Sequence, residues 1–431
     1  MKTKENTSTI CAIATASGGA IGIVRVSGPE SISIVNSIFK GKNSLTDALP
    51  YSANYGIITD GEQIIDQVLV TIFRAPASYT GEDSAEISCH GSSFILRSVL
   101  NLLIKRGCTL ATPGEYTMRA FVNGKMDLCQ AEAVADLIAA DSKAAHQIAF
   151  SQMRGTVSNK LSELREQLLR LSSLLELELD FSEEDVEFAD RTELLRLTEE
   201  IKEEIYRLVS SFDDGNAIKN GVPVAIIGAP NVGKSTLLNT LLHEDKAIVS
   251  DIQGTTRDII EDTIAIQGVQ FRFIDTAGLR HTKDTIEKLG IERTLKTVSH
   301  ARIILLVTEP GVPYPEIKTS DKQTVIRIVN KSDRFQAING TGIDWLEQEL
   351  LKSVPAVDTN SVLLTNQRHK QALDAAYISI CRAEKAMQSN LSGDLIAEDL
   401  RQCLHSLSEI LGQITSDDVL QEIFGKFCVG K

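Results

Sequence analysis

The chain has 431 residues, 42% hydrophobic and 24% charged, which suits two or three soluble domains with real cores. Its 58 acids outweigh its 44 bases, and the formal net charge of −14 disfavours gripping nucleic acid unaided. No apolar run approaches about 18 residues, so no membrane span is predicted. The polar start Met1–Ile10 lacks a signal-peptide core, and seven cysteines without a CxxC pair argue against a disulfide framework or zinc site and for a reducing cytoplasm.

Residues 1 to about 123 read as mixed α/β, with apolar stretches Ile21–Val26 and Val68–Phe73 between Gly, Pro and Ser turns, and helical spacing over Phe94–Lys105. From Met126 the style changes: Ala131–Ile148, Leu161–Leu179 and Arg191–Phe212 are long helix formers, and Asp213-Asp214-Gly215 is expected to break the last. The acidic run Glu176–Glu187 reads as a solvated helix and its end, with a dock for a basic partner as the alternative. An α/β unit follows, then helices over Asn366–Asn390 and Leu395–Leu411. The expected fold is α/β multidomain: residues 1–123 α/β, 124–215 helical, 216–355 an inserted Ras-like P-loop α/β domain, and 356–431 the rest of the helical domain. Insertion is favoured because domain termini commonly lie close together; separate helical domains are the alternative.

The chemistry is concentrated in the α/β unit. Strand Val224–Ile227 runs into Gly228-Ala229-Pro230-Asn231-Val232-Gly233-Lys234-Ser235, with a helix from about Thr236. This is GxxxxGK[ST] in its strand–loop–helix setting, where backbone N–H groups curl around phosphates, Lys234 neutralises the β- and γ-phosphates and Ser235 offers Mg²⁺ a hydroxyl. A second strand, Phe271–Ile274, ends in Asp275-Thr276-Ala277-Gly278, placing an acid toward Mg²⁺ through water and a glycine N–H at the γ-phosphate. A third, Val325–Val329, ends in Asn330-Lys331-Ser332-Asp333. The Asp333 carboxylate can accept from N1–H and the 2-amino group of guanine, a donor pair adenine lacks, so GTP is the expected substrate. Three motifs at strand ends match how open α/β sheets bind ligands.

Between the first two motifs, Ser250, Asp251, Ile252, Gln253, Gly254, Thr255 and Thr256 complete the expected nucleotide site, with Thr256 as the second Mg²⁺ hydroxyl on a loop ordered by γ-phosphate. Where Ras-like proteins place a water-orienting Gln, this chain has Leu279, whose isobutyl group cannot orient water. Arg280, His281 and Glu287 are the nearby candidates, and a carboxylate suits the task best. The domain is lean: only Arg334, Phe335 and Gln336 separate Asp333 from Ala337-Ile338-Asn339, the expected last base-side loop, and Pro310, Pro313 and Pro315 thin the preceding helix.

The ends of the chain add a resemblance. Thr9-Ile10-Cys11-Ala12-Ile13-Ala14-Thr15, Gly22-Ile23-Val24-Arg25-Val26-Ser27-Gly28, Ser78-Tyr79-Thr80-Gly81-Glu82-Asp83, Pro113-Gly114-Glu115-Tyr116-Thr117, Asn123-Gly124-Lys125-Met126-Asp127-Leu128 and the closing Cys428-Val429-Gly430-Lys431 resemble the MnmE (TrmE) family of tRNA-modification GTPases. The resemblance implies an N-terminal domain similar to folate-binding domains that dimerises and binds a methylene- or formyl-tetrahydrofolate at Arg25, Glu82, Lys125 and Lys431. It implies potassium activation, with K⁺ held by Asn231, Ser250, Ile252 and Thr255 where an arginine finger would act. Glu287 matches the family's water-positioning glutamate, and Lys234 completes the hydrolytic set. Cys428 is implied in the modification chemistry, as nucleophile or structural thiol; a prenylation box fits Gly430-Lys431 poorly.

The implied function is to add an aminomethyl or carboxymethylaminomethyl group to C5 of the tRNA wobble uridine. The implied setting is a homodimer joined to an MnmG-like FAD- and NADH-using subunit in a heterotetramer or larger assembly, with tRNA held mainly by that partner and no membrane involved. A ribosome-assembly GTPase of the Era or EngA type is the alternative, disfavoured by the acidic balance and the lack of a KH-like GXXG loop. Glu287→Ala is expected to keep GTP binding and lose most turnover; unchanged single-turnover hydrolysis would remove Glu287 from the mechanism.

Overall fold

The computed structural model describes residues 8–180, 191–244, 262–274, 297–354, 362–389 and 391–430. They fall into two compact units, one running to Ala135 and joined by Ser408–Lys431, the other Asp136–Leu407.

The first unit holds β1 (Ile10–Ile13), β2 (Ile21–Ser27), α1 (Ser31–Ile38), β3 (Phe39–Gly41), β4 (Ala53–Asp60), β5 (Gln63–Phe73), β6 (Ser84–His90), α2 (Ser93–Lys105), β7 (Thr109–Leu110), α3 (Glu115–Val122) and most of α4 (Leu128–Ile138). The strands form one sheet in the order β3-β4-β5-β6-β2-β1-β7, antiparallel except for β1 with β7. Alternation decides its faces. Val24 and Val26 of β2, Val68, Val70 and Ile72 of β5 and Ile87 of β6 form a core with Ile32 and Val35 of α1 and Leu96 and Val99 of α2. The intervening residues face the other way, so Arg25 of β2 meets its register partner Glu86 of β6 there, a cross-strand pair of opposite charge.

The second unit continues with α5 (Lys143–Met153), α6 (Thr156–Asp180), α7 (Arg191–Asn220), β8 (Val222–Gly228), α8 (Lys234–Glu244), β9 (Asp262–Ile266), β10 (Val269–Phe273), β11 (Ile303–Thr308), β12 (Thr324–Val329), α9 (Ile343–Lys352), α10 (Gln367–Gln388) and α11 (Gly393–Leu411); α12 (Asp417–Phe424) belongs to the first. Helices α7 and α10 pack antiparallel, as Thr198 against Met387, Lys202 against Glu384 and Tyr206 against Tyr377 show. The strands form a second sheet, β12-β11-β8-β10-β9, parallel except for the β9–β10 hairpin. All six residues of β11 are buried, as a central parallel strand covered on both faces requires. One face carries Val224, Ile226, Leu305 and Ile328 beneath Leu237 and Leu241 of α8 and Leu346 and Leu350 of α9. The other carries Ala225, Ile304 and Leu306, with Tyr314 and Ile317 packed against them.

The sequence expectations meet the structure element by element. Val224–Ile227, Phe271–Ile274 and Val325–Val329 lie in or at the ends of β8, β10 and β12, and Phe94–Lys105 lies in α2. Ala131–Ile148 is two helices, because the Ser142 hydroxyl accepts from Ala145 N and starts α5 afresh. The expected break at Asp213-Asp214-Gly215 is overturned: α7 continues to Asn220 and stops at Gly221, in the left-handed region at φ 85°. Gly215 serves close packing instead, since a Cβ there would fall on the Leu364 carbonyl. Asp213 and Asp214 are not helix breakers; they pair with Lys322 and Arg302, each at 2.7 Å. The lean reading holds, as residues 309–323 and 334–336 contain no helix. Most of the acidic run from Glu176 to Glu187 lies outside the residues whose side chains are described.

Arg119 of α3 is 1% exposed and ion-pairs with Glu82 at 3.2 Å and Glu115 at 2.8 Å. Removing a buried charge that satisfies two carboxylates costs about 3–5 kcal/mol. Arg119→Ala is therefore expected to destabilise the N-terminal unit by about that much in urea titration, and a cost near zero would show the network to be incidental.

Candidate functional site

The phosphate loop begins where β8 ends. Gly228 is required by packing: a Cβ would fall on the Val307 carbonyl of β11. Asn231 takes a left-handed backbone (φ 64°), tolerable for Asn. Gly233 (φ 91°) is required twice over, because a Cβ there would also fall on the Asn330 side-chain amide. Val232 turns into the core and fixes the loop from below. Helix α8 then starts at Lys234, with Leu237 N donating to Gly233 O at 2.9 Å. Ser235 is half-buried and Thr236 exposed at that start, where the positive end of the helix favours an anion. The Lys234 ammonium donates to the carbonyls of Gly228 (2.9 Å) and Ala229 (2.7 Å) and so spans the loop. Burial pushes its pKa below the ordinary lysine value, the response of a cation short of solvent, which an anionic ligand would relieve.

The loop after β12 lies against this one. Asn330 is buried; its side-chain amide donates to Val232 O at 2.8 Å, and its side-chain oxygen accepts from Ala337 N at 3.0 Å. Lys331, left-handed at φ 58°, reaches Asn231 O at 3.2 Å and Glu309 at 2.5 Å. Ser332 caps the turn, its hydroxyl accepting from Phe335 N at 3.2 Å. Asp333 is exposed and its carboxylate has no partner among the described residues. Thr240 of α8 donates to Ala337 O at 2.6 Å and ties the third loop to the helix. Asn231, Val232, Gly233, Lys234, Asn330 and Lys331 are thus drawn together at the carboxyl ends of parallel strands. Ser250, Asp251, Ile252, Gln253, Gly254, Thr255, Thr256, Asp275, Thr276, Ala277, Gly278, Leu279, Arg280, His281 and Glu287, all singled out in the sequence, lie outside the described residues, as does Lys431.

The first unit gathers the other singled-out residues. Arg25 bonds Glu86 at 2.8 Å and donates to Gly430 O at 3.2 Å, and its guanidinium lies 5.9 Å from the Tyr79 ring centroid and 5.6 Å from that of Tyr116. Glu82 accepts from Ser27 at 2.8 Å and from Arg119. Lys125 is exposed and donates to Pro76 O at 3.0 Å. The Cys428 thiol is exposed, while its carbonyl accepts from Gly114 N at 3.4 Å. Burial raises the pKa of Tyr79, against the opposing pull of Thr117 and Arg25, and that of Tyr116 well above the phenol range.

Sequence reasoning missed Arg119, Glu86, Tyr79 and Tyr116 as neighbours of these groups. Only Arg119 had a local signal, the i,i+4 spacing from Glu115 on a helix opened by Pro113-Gly114. It also missed that the Asn330 side chain holds loops together.

Gly233→Ala is expected to weaken guanine-nucleotide binding by about tenfold or more, from backbone strain and collision with Asn330. Asn330→Ala, which leaves Val232 O and Ala337 N without their buried partner, is expected to cost about 1–3 kcal/mol of stability as well. Titration with a fluorescent guanine nucleotide, alongside denaturation, reads both effects; wild-type affinity in Gly233→Ala would show that the loop does not hold phosphate.

The family model described as MnmE helical domain matches residues 128–428, and that described as GTP-binding protein TrmE N-terminus matches residues 9–125. A protein of Bacteroides thetaiotaomicron named tRNA modification GTPase MnmE is 52% identical over 465 aligned residues, covering 99% of this chain and 100% of the relative. Its namesake in Bacteroides fragilis is 53% identical with the same coverage, and that of Cytophaga hutchinsonii 47% identical over 99% of this chain and 98% of its own length. Likeness at this level from end to end, on a chain that folds its phosphate loop against its Asn330 loop, places the protein in the MnmE (TrmE) family of tRNA modification GTPases.

Proposed function

We propose that the chain binds and hydrolyses GTP with an inserted G domain at residues 216–355, and that it uses this cycle in modifying C5 of the wobble uridine of certain tRNAs. The observation that carries the reading is the Asn330 amide on Val232 O, which joins a phosphate loop to the loop that presents Asp333. Two motifs far apart in sequence acquire a single ligand by that contact. The names of the relatives, tRNA modification GTPase, support the second half of the reading.

Each residue has a task in this scheme. Backbone amides from Asn231 to Ser235 surround the β-phosphate, Lys234 meets the β- and γ-phosphates, and Asp333 selects guanine. Ser235 with Thr256 would hold Mg²⁺, which neutralises charge developing on the phosphates. The exposed, left-handed Asn231 can present an oxygen to K⁺ beside the phosphates, with Ser250, Ile252 and Thr255 completing the set. Glu287 would hold the attacking water.

The N-terminal groups suit a flat, polar, anionic molecule. Glu82 is anchored by Arg119 and Ser27, so it can accept from a pteridine; the exposed Tyr79 ring and the Arg25 guanidinium supply planes for a ring; Lys125 and Lys431 are cations for glutamate carboxylates. A bound tetrahydrofolate derivative would supply the one-carbon unit. The exposed Cys428 thiol, two residues from the Gly430 carbonyl that Arg25 engages, is the nucleophile available there. A homodimer working with an FAD-dependent subunit completes the scheme, that partner supplying redox chemistry and most of the tRNA contact.

Nucleotide competition tests the reading. Wild type is expected to prefer guanine over adenine nucleotides and to hydrolyse GTP faster in K⁺ than in Na⁺. Asp333→Asn offers an amide donor to the 2-position and is expected to exchange GTP for xanthosine triphosphate. Equal affinity for guanine and adenine nucleotides in the wild type would end the proposal.

A further inference from the structure

Outside both sites, α5 and α6 enclose a cleft of about 660 Å³. That volume lies within the roughly 300–1,000 Å³ of ligand sites. Gly155, at φ 91°, turns the chain between the helices. The Ser151 and Thr156 hydroxyls, 2.7 Å apart, hold the corner. Gln152 donates to Leu363 O at 2.8 Å and fixes the far wall.

Three exposed side chains at four-residue spacing, two on α5 and one at its C-cap, line this cleft. The His146 imidazole lies nearly parallel to the Phe150 ring, 7° between planes and 6.0 Å between centroids. The Arg154 guanidinium stands 5.9 Å from the same centroid. The ring between them is 42% exposed. A phenyl kept at the surface between two cationic or polar planes buries too little to be explained as core. Among the titratable lining groups, His146, Arg154 and Lys160 are basic; the one acid, Glu163, faces Lys160 at 3.6 Å. Glu204 also reaches Lys160, at 3.1 Å, whereas Arg154 has no ion pair among the described residues. This occurs on a chain of net charge −14.

We propose that the cleft receives one unpaired nucleotide, its base extending the His146–Phe150–Arg154 stack and its phosphate meeting Arg154. Aromatic rings and arginine planes are the usual platforms for bases splayed out of RNA loops. A chain too acidic to track a phosphate backbone can still offer such a point contact, because stacking does not depend on a wide basic surface. The favoured source is therefore a loop nucleotide of an RNA, and a free mononucleotide shares the chemistry. The choice of RNA rests on the tRNA reading above; the cleft itself lies apart from the GTP site.

The full chain and its Phe150→Ala, Arg154→Ala and Tyr206→Ala variants would be titrated with a labelled stem–loop RNA, with the same stem closed into a blunt duplex, and with uridine monophosphate. GTP hydrolysis would be followed on each sample. Phe150→Ala and Arg154→Ala are expected to weaken stem–loop binding by about tenfold, the worth of one stacked base. Tyr206→Ala, an exposed ring on another helix, duplex binding and GTP hydrolysis are expected to stay unchanged. Uridine monophosphate binding that depends on the ladder, with stem–loop binding that does not, would assign the cleft to a free nucleotide. A stem–loop affinity unaltered in both ladder variants without such mononucleotide binding, or no stem–loop binding by a wild type that hydrolyses GTP normally, would overturn the proposal while leaving the GTPase reading intact.

Discussion

The Asn330 side chain is the tie on which the nucleotide site depends. It is buried, donates to Val232 O and accepts from Ala337 N, and so makes one rigid object of three loops that emerge from β8, β12 and the segment before α9. Two neutral hydrogen bonds in a buried setting contribute about 0.5–1.5 kcal/mol each, but leaving their partners unmet costs more. Gly233 answers to the same atom, since only a residue without a Cβ leaves room for the amide. The shape of the phosphate loop and the position of Asp333 are consequently set together. In the proposed scheme, affinity for phosphate and selection of the base would both follow from one piece of packing.

The second site shows the same economy with charges. Arg119 is almost fully buried between Glu82 and Glu115, and it also donates to Ser8 O at 2.9 Å. Burying a guanidinium is tolerable only when its donors are met, so the strand, the turn at Glu82 and α3 are forced into register around it. Arg25 is held similarly by Glu86 and Gly430 O, which brings the final turn of the chain to the face of β2. The residues nearest the closing Cys428 are thereby fixed by backbone contacts, with the thiol left exposed.

How much of this was legible follows from the range of each signal. The phosphate loop is local: glycines, lysine and hydroxyl fall within one turn between a strand and a helix, so spacing alone reveals it. The long helices were legible from Ala/Leu composition, and β2, β5, β8, β10 and β12 from apolar runs; the other strands, the fully buried β11 among them, were not read. The two lean stretches were visible because proline and short spacing leave no room for a helix. The role of Asn330 was hidden, because its partners are chosen by strand order in the sheet. Arg119 was hidden for the same reason, since its burial depends on a turn distant in sequence. Gly215 misled because sequence does not distinguish a glycine needed for close approach from one needed for a left-handed turn; Gly221, six positions on, is the latter. The residues expected to position water and to order with the γ-phosphate, Glu287 and Thr256 among them, fall outside the described segments.

The lean architecture has a mechanical corollary. Between β11 and β12 the chain crosses the sheet without a helix, and from that crossing only Tyr314 and Ile317 join Val298 and Ala301 on that face among the described residues. Stiffness there comes from elsewhere: Arg302 and Lys322, at the starts of β11 and β12, are clamped to Asp214 and Asp213 of α7. The same helix passes through Gly221 alone into β8, whose far end is the phosphate loop. On the opposite edge, the Gly268 carbonyl of the β9–β10 turn accepts from Ala144 N at the start of α5. The sheet is thus tied to α7 at the starts of β11 and β12 and to α5 at its hairpin. The two ties differ in strength: Arg302–Asp214 is the more buried pair, whereas Lys322–Asp213 is mostly exposed and contributes little, so the connection from α7 through Gly221 into β8 is the firmer link between the helices and the phosphate loop.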